Sequence, residues 1–105
     1  MGGSGSRGWS PTPPRDPCDT LAFRSQLNSP QPALIAQLAI GTVLTVQLAP
    51  PPQSAVHALH GNQAVGSITG SSLAGLINCL RNGYAFEAEV VAIAGGLCTV
   101  DVRPV

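Results

Sequence analysis

The sequence predicts a mainly β domain, a β-barrel or rolled antiparallel sheet of about five or six strands with one α-helix at about Ser72 to Asn82. Three observations carry this. Apolar residues alternate with polar or small ones along several short segments, glycine-containing turns join neighbouring segments, and one stretch alone has helical spacing with helical end signals.

Composition sets the scale. Of the 105 residues, Met1 to Pro17 are clustered Gly, Ser and Pro, too poor in apolar side chains to offset chain entropy, which predicts a disordered tail (1–17) ahead of one small domain (18–105). A domain of that size has one modest core and no room for a deep cleft between lobes. Trp9, with Pro11, Pro13 and Pro14 beside it, reads as a docking peptide for a partner groove, although a solvated linker is the commoner meaning of such tracts.

In the domain, Leu21, Phe23 and Leu27 alternate with Ala22, Arg24 and Gln26, the pattern of a half-buried strand, which Asn28, Ser29, Pro30 and Pro32 end. Ala33 to Ala39 fits a short helix through Leu34, Ile35 and Leu38, and the same residues suit a buried strand; both readings stay open. Val43 to Leu48 puts Leu44, Val46 and Leu48 on one face, and Pro50 to Pro52 stop it. Ala55 to Leu59 and Ala64 to Ile68 flank His60-Gly61-Asn62-Gln63, where Gly61 and Asn62 suit the positive φ angles of a tight hairpin turn.

The helix has Leu73, Leu76, Ile77 and Leu80 on one face, with Thr69 or Ser71 as its cap, Arg81 near its C-terminus and Gly83 for the left-handed closing residue. In the last hairpin, Phe86, Ala88, Val90 and Ala92 alternate with Glu87, Glu89 and Val91 before Ala94-Gly95-Gly96 turns the chain. A regular ladder around a two-residue loop puts Glu89 opposite Val102. A three-residue loop aligns the inward set with Cys98, Val100 and Val102, so three residues are expected, with Glu87 facing Arg103 and Glu89 facing Asp101.

Charge and motifs exclude more than they assign. Charged residues are 10% of the chain, net charge is zero and there is no Lys, so no basic stripe exists to grip duplex DNA. Ala33 to Leu48 is interrupted by Gln37, Gly41, Thr42, Thr45 and Gln47, which rules it out as a membrane span, and no apolar signal segment follows Met1; a cytoplasmic location is expected. Cys18, Cys79 and Cys98 fit neither a zinc site nor a disulfide framework. Buried thiols are the default there, and a Cys18 to Cys79 bridge stays open.

Gly70-Ser71-Ser72 matches a relaxed nucleophile elbow, but both histidines precede it in a small antiparallel unit, so a helix cap is the reading. His57 and His60 lack a third ligand, and Glu89 with Asp101 reads as a solvated face with Arg103 between. No catalysis, metal or cofactor is expected.

The order of strand, hairpin ending in Val65-Gly66-Ser67-Ile68, Ser-capped helix ending in Asn82-Gly83, and long hairpin resembles the HIRAN family of small β-barrels over about Ile40 to Val102. The resemblance covers Gly41, before the second strand, and Gly66, before the helix. It implies a sheet wrapped around one helix and binding of single-stranded DNA ends or stalled forks; for such binding Arg24, Arg81 and Arg103 are the only candidate phosphate contacts in this chain, with Tyr84 as the further candidate nucleic-acid-binding residue. The chain departs from the family at Ala55 to Leu59, which lacks the usual Asp and Asn, and it has no basic or aromatic cluster. The first expectation is therefore a non-catalytic accessory module binding another protein through the barrel surface or the tail, with the single-stranded DNA end binder as alternative.

Overall fold

Alternating burial makes the sheet. The structure, a computed structural model, describes residues 17–50 and 55–105. The elements run α1 (Pro17–Thr20), β1 (Phe23–Gln26), α2 (Pro32–Ile35), β2 (Val43–Leu48), β3 (Val56–His60), β4 (Gln63–Ile68), α3 (Leu73–Arg81), β5 (Phe86–Ala94) and β6 (Leu97–Pro104). The six strands form one antiparallel sheet in the order β1-β6-β5-β2-β3-β4, curled into a half-barrel. Leu44, Val56, Ala58, Val90, Val100 and Val102 fill its concave side, and Leu76 and Cys79 of α3 pack among them.

The sheet's two edges meet along a short seam. Asn28, just past β1, exchanges main-chain hydrogen bonds with Ser67 of β4 at 2.8 and 2.9 Å, and Gln31 N–H donates to Val65 O. One rung further, the buried Ser25 hydroxyl donates to Thr69 O at 3.2 Å, so a side chain continues the seam. Gly66 faces this crossing: a Cβ there would lie 2.9 Å from Leu27 Cβ and 3.3 Å from Asn28 O. The position is structural, and close approach is the reason.

Several details differ from expectation. The strand predicted over Leu21 to Leu27 is shorter, and the ambiguous segment is a one-turn helix, α2, started by Pro32 at its first position and burying Ile35. In the β3–β4 turn Gly61 takes a positive φ of 64° and Asn62 does not. At α3, Ser72 is the N-cap and its carbonyl accepts the Leu76 N–H, but its side chain makes no capping bond; Ser71 is exposed one residue earlier and Thr69 serves the seam instead. Gly83, at φ 88°, closes the helix as expected.

The β5–β6 register is the predicted one, with Glu87 opposite Arg103 and Glu89 opposite Asp101, but the loop is not. Ala94 pairs with Leu97 across a two-residue Gly95-Gly96 turn, and a bulge at Val91 supplies the missing residue. The bulge also shifts the phase: Ala92, expected inside, is exposed, and Ile93 packs against the core.

The cysteines contain the largest departure. Cys18 and Cys79 form a disulfide across a sequence separation of 61, where buried thiols were the default. In the chain-entropy view a loop of that size contributes about 4 kcal/mol by restricting the unfolded chain. Cys98 is a free, buried thiol, and burial raises its pKa. Pro17, assigned to the tail by composition, begins α1; the rest of the tail, with Trp9, Pro11, Pro13 and Pro14, lies outside the described residues.

Candidate interaction surface

Charged side chains on this small sheet have one place to go, the convex face, and strand pairing decides which of them meet. The β1–β6 register sets Arg24 opposite Asp101, and the β6–β5 register sets Asp101 opposite Glu89 and Arg103 opposite Glu87. Arg24 grips Asp101 with two bonds, Nε to Oδ1 at 2.8 Å and Nη2 to Oδ2 at 3.2 Å. Arg103 spans both glutamates, Nε to Glu87 Oε2 at 2.7 Å and Nη1 to Glu89 Oε1 at 2.6 Å.

Two guanidiniums thus answer three carboxylates, and the repulsion expected between Glu89 and Asp101 is relieved from both sides. The hydrogen bond from Arg24 holds the Asp101 carboxyl below the usual carboxylate range, against its partial desolvation, and the charges of Arg24 and Arg103 add to the effect. The same bonds raise both arginines.

Between these pairs runs a shallow open groove of about 410 Å³, lined by Ala22, Phe23, Arg24, Asp101, Val102 and Arg103. Phe23 and Val102 are partners in the ladder whose side chains point inward, so main chain forms the floor. Arg24 and Asp101 form one wall, and Arg103 stands across from the exposed, small Ala22. Sequence reasoning picked out Arg24 and Arg103 but missed Ala22 and Asp101 as groove residues; strand pairing, which brings distant segments together, was the signal needed.

The other candidates lie elsewhere. Arg81 is exposed in the last turn of α3, and Tyr84 is half-buried between α3 and β5; neither lines the groove. Phe86 is only 2% exposed and offers no ring to a base. His57 pairs with Gln47 and Ser67, and His60 with Gln63; among the described residues no group of three or more His, Cys, Asp or Glu is placed to hold a metal. Among the same residues no helix is long and apolar enough to cross a membrane.

Compared with protein-family models, with curated proteins and with solved structures, the chain finds no match.

Proposed function

We propose that the chain is a non-catalytic interaction module that engages another protein, through the β1–β6 groove on the half-barrel surface or through the N-terminal segment bearing Trp9, Pro11, Pro13 and Pro14. One observation carries the reading: both arginines of the groove are paired with neighbouring carboxylates, leaving no uncompensated positive charge along a groove floored by main chain. Such a surface suits peptide groups and side chains better than phosphates, which need uncompensated positive charge.

The alternative, a HIRAN-like binder of single-stranded DNA ends, has one observation in its favour: two of its three candidate arginines share a groove. Against it stand their carboxylate partners and the absence of Arg81 and Tyr84 from the same lining. The compartment is read from the cysteines. A lasting disulfide belongs to an oxidising setting, whereas the cytoplasmic expectation requires a bridge that is transient or regulated.

Two measurements separate the readings. A photo-crosslinking residue at Ala22 should capture a protein partner that the same residue at the exposed Ala92 does not. Labelled single-stranded DNA with a free 3′ end should show no saturable binding at low salt. Equal capture from both positions sinks the groove reading, and DNA binding lost in Arg24→Ala or Arg103→Ala puts the alternative first.

A further inference from the structure

We propose that the Cys18–Cys79 bridge is a redox clasp that fixes where the N-terminal segment leaves the half-barrel, and that a dithiol reductant opens it without unfolding the sheet. The inference does not depend on what the groove binds.

The geometry points to a clasp because the bridge joins two elements of very unequal anchorage. α1 is a single turn, far below the length at which a helix holds in water, and of its four residues Cys18 alone is buried. α1 also contacts β6 and α3. α3, in contrast, is seated without the bridge: Leu76 is fully buried, and Leu73, Ile77 and Leu80 pack against the core. The sheet is held by continuous ladders from β1 to β4 and by the Asn28–Ser67 seam, none of which includes Cys18 or Cys79. The next hold after α1 is Leu21, half-buried, with a methyl group 4.0 Å from where a Gly75 Cβ would be. Breaking the bridge removes the covalent hold on residues 17–20 and leaves Leu21 as the next packed residue along the chain.

Cys18 and Cys79 are 4% and 3% exposed, so a reductant reaches the sulfurs when α1 lifts. One thiolate of the dithiol then attacks one sulfur of the bridge, forming a mixed disulfide and releasing the other cysteine as a thiolate that takes up a proton. The second reductant thiol closes the reductant's own disulfide and frees the remaining cysteine. The protein gains two electrons and two protons.

The test uses the full chain, oxidised in a glutathione buffer and then treated with dithiothreitol at neutral pH. Iodoacetamide labelling is followed by mass spectrometry, with Cys98, buried in β6, as an internal reporter of the intact sheet. The expected result is rapid labelling of Cys18 and Cys79 after reduction with Cys98 still unlabelled. Backbone order parameters of residues 18–20 should fall below about 0.6 while those of β2 to β6 stay near the rigid value of about 0.85. Cys18→Ser with Cys79→Ser should reproduce the reduced order parameters. Labelling of Cys98 at the same rate overturns the clasp, because the bridge is then a staple of the whole fold. So do unchanged order parameters at 18–20, or free Cys18 and Cys79 thiols in the oxidised chain.

Discussion

The hairpins β3–β4 and β5–β6 share a plan and put it to different uses. Each turns in two residues, and each has a bulge within three pairs of its turn. In the first, Leu59 pairs with Ala64 and Ala58 with Gly66, which leaves Val65 as the extra residue, fully buried. In the second, Val90 pairs with Val100 and Ala92 with Thr99, leaving Val91, half-buried. Both bulges sit where a third segment makes its bonds: Val65 O accepts the Gln31 N–H at the seam, and Val90 bonds to Gly41 and Thr42, where the segment leading into β2 leaves β5. The β4 bulge helps close the curl, and the β5 bulge marks where the hairpin tip goes on alone. A bulge in this fold is a junction between segments, and its cost to mutation depends on what is joined.

The comparison breaks most visibly at Gly66. Alanine at an unstrained strand position normally stabilises slightly by restricting the unfolded chain. Here the added Cβ meets Leu27 Cβ and the Asn28 carbonyl, neither of which is the flexible end of a side chain, so Gly66→Ala is expected to cost about 3 kcal/mol in urea unfolding under non-reducing conditions. A neutral or stabilising result would remove the seam from the account. The bulges themselves come next: Val65→Ala should cost about 2 kcal/mol and Val91→Ala less than about 1, since only the first side chain is fully enclosed. Equal losses would mean that the two bulges are not the different junctions described above.

The strands, the helix and the pairing of Glu87 with Arg103 were legible because alternation and charge constrained them. The bulges were not: Val90, Val91, Ala92 and Ile93 are all apolar, so a slip of phase leaves no mark in the pattern. With Glu87 opposite Arg103, a regular ladder needs a third loop residue and places Ala92 inside, whereas the bulge at Val91 keeps the pairing and turns Ala92 out. The groove was half legible, since Arg24 and Arg103 stand out in a chain with five arginines, whereas their carboxylate partners depend on β1 lying beside β6. The Cys18–Cys79 bridge depends on α1 reaching α3, and no spacing rule encodes that contact.

Smaller effects sharpen the contrast between the turns. Gly95 and Gly96 both take positive φ, at 58° and 85°, as in a type I′ turn, whereas Gly61 alone does in the first hairpin. Alanine at Gly61 or at Gly95 meets no atom within 4 Å, so the backbone penalty stands by itself and should be about 1 kcal/mol at each. Asn, which tolerates the left-handed region, should recover most of it at both positions. A loss much larger than this at Gly95 would show that the hairpin tip is packed against something.

The smallest expected effect is also the most specific to one hairpin. β3 and β4 contain no carboxylate, while β5 and β6 contain Glu87, Glu89 and Asp101, so carboxylate protonation should act on the second hairpin alone. Asp101 is held below the ordinary carboxylate value of about 3.9 by its Arg24 hydrogen bond first and by the nearby arginine charges in addition. A folded-state value below the unfolded one means that the contribution is fully present above about pH 4 and is lost as pH falls through the folded value. An NMR titration of the Asp101 carboxyl should place its midpoint below the ordinary value, and in Arg24→Ala the midpoint should move upward. Over the same pH range the β3–β4 amides should be unmoved in both proteins. An Asp101 midpoint unchanged by Arg24→Ala would mean that the pair at the groove wall does not hold its geometry in solution, and the neutralised-groove argument for a protein partner would lose its footing with it.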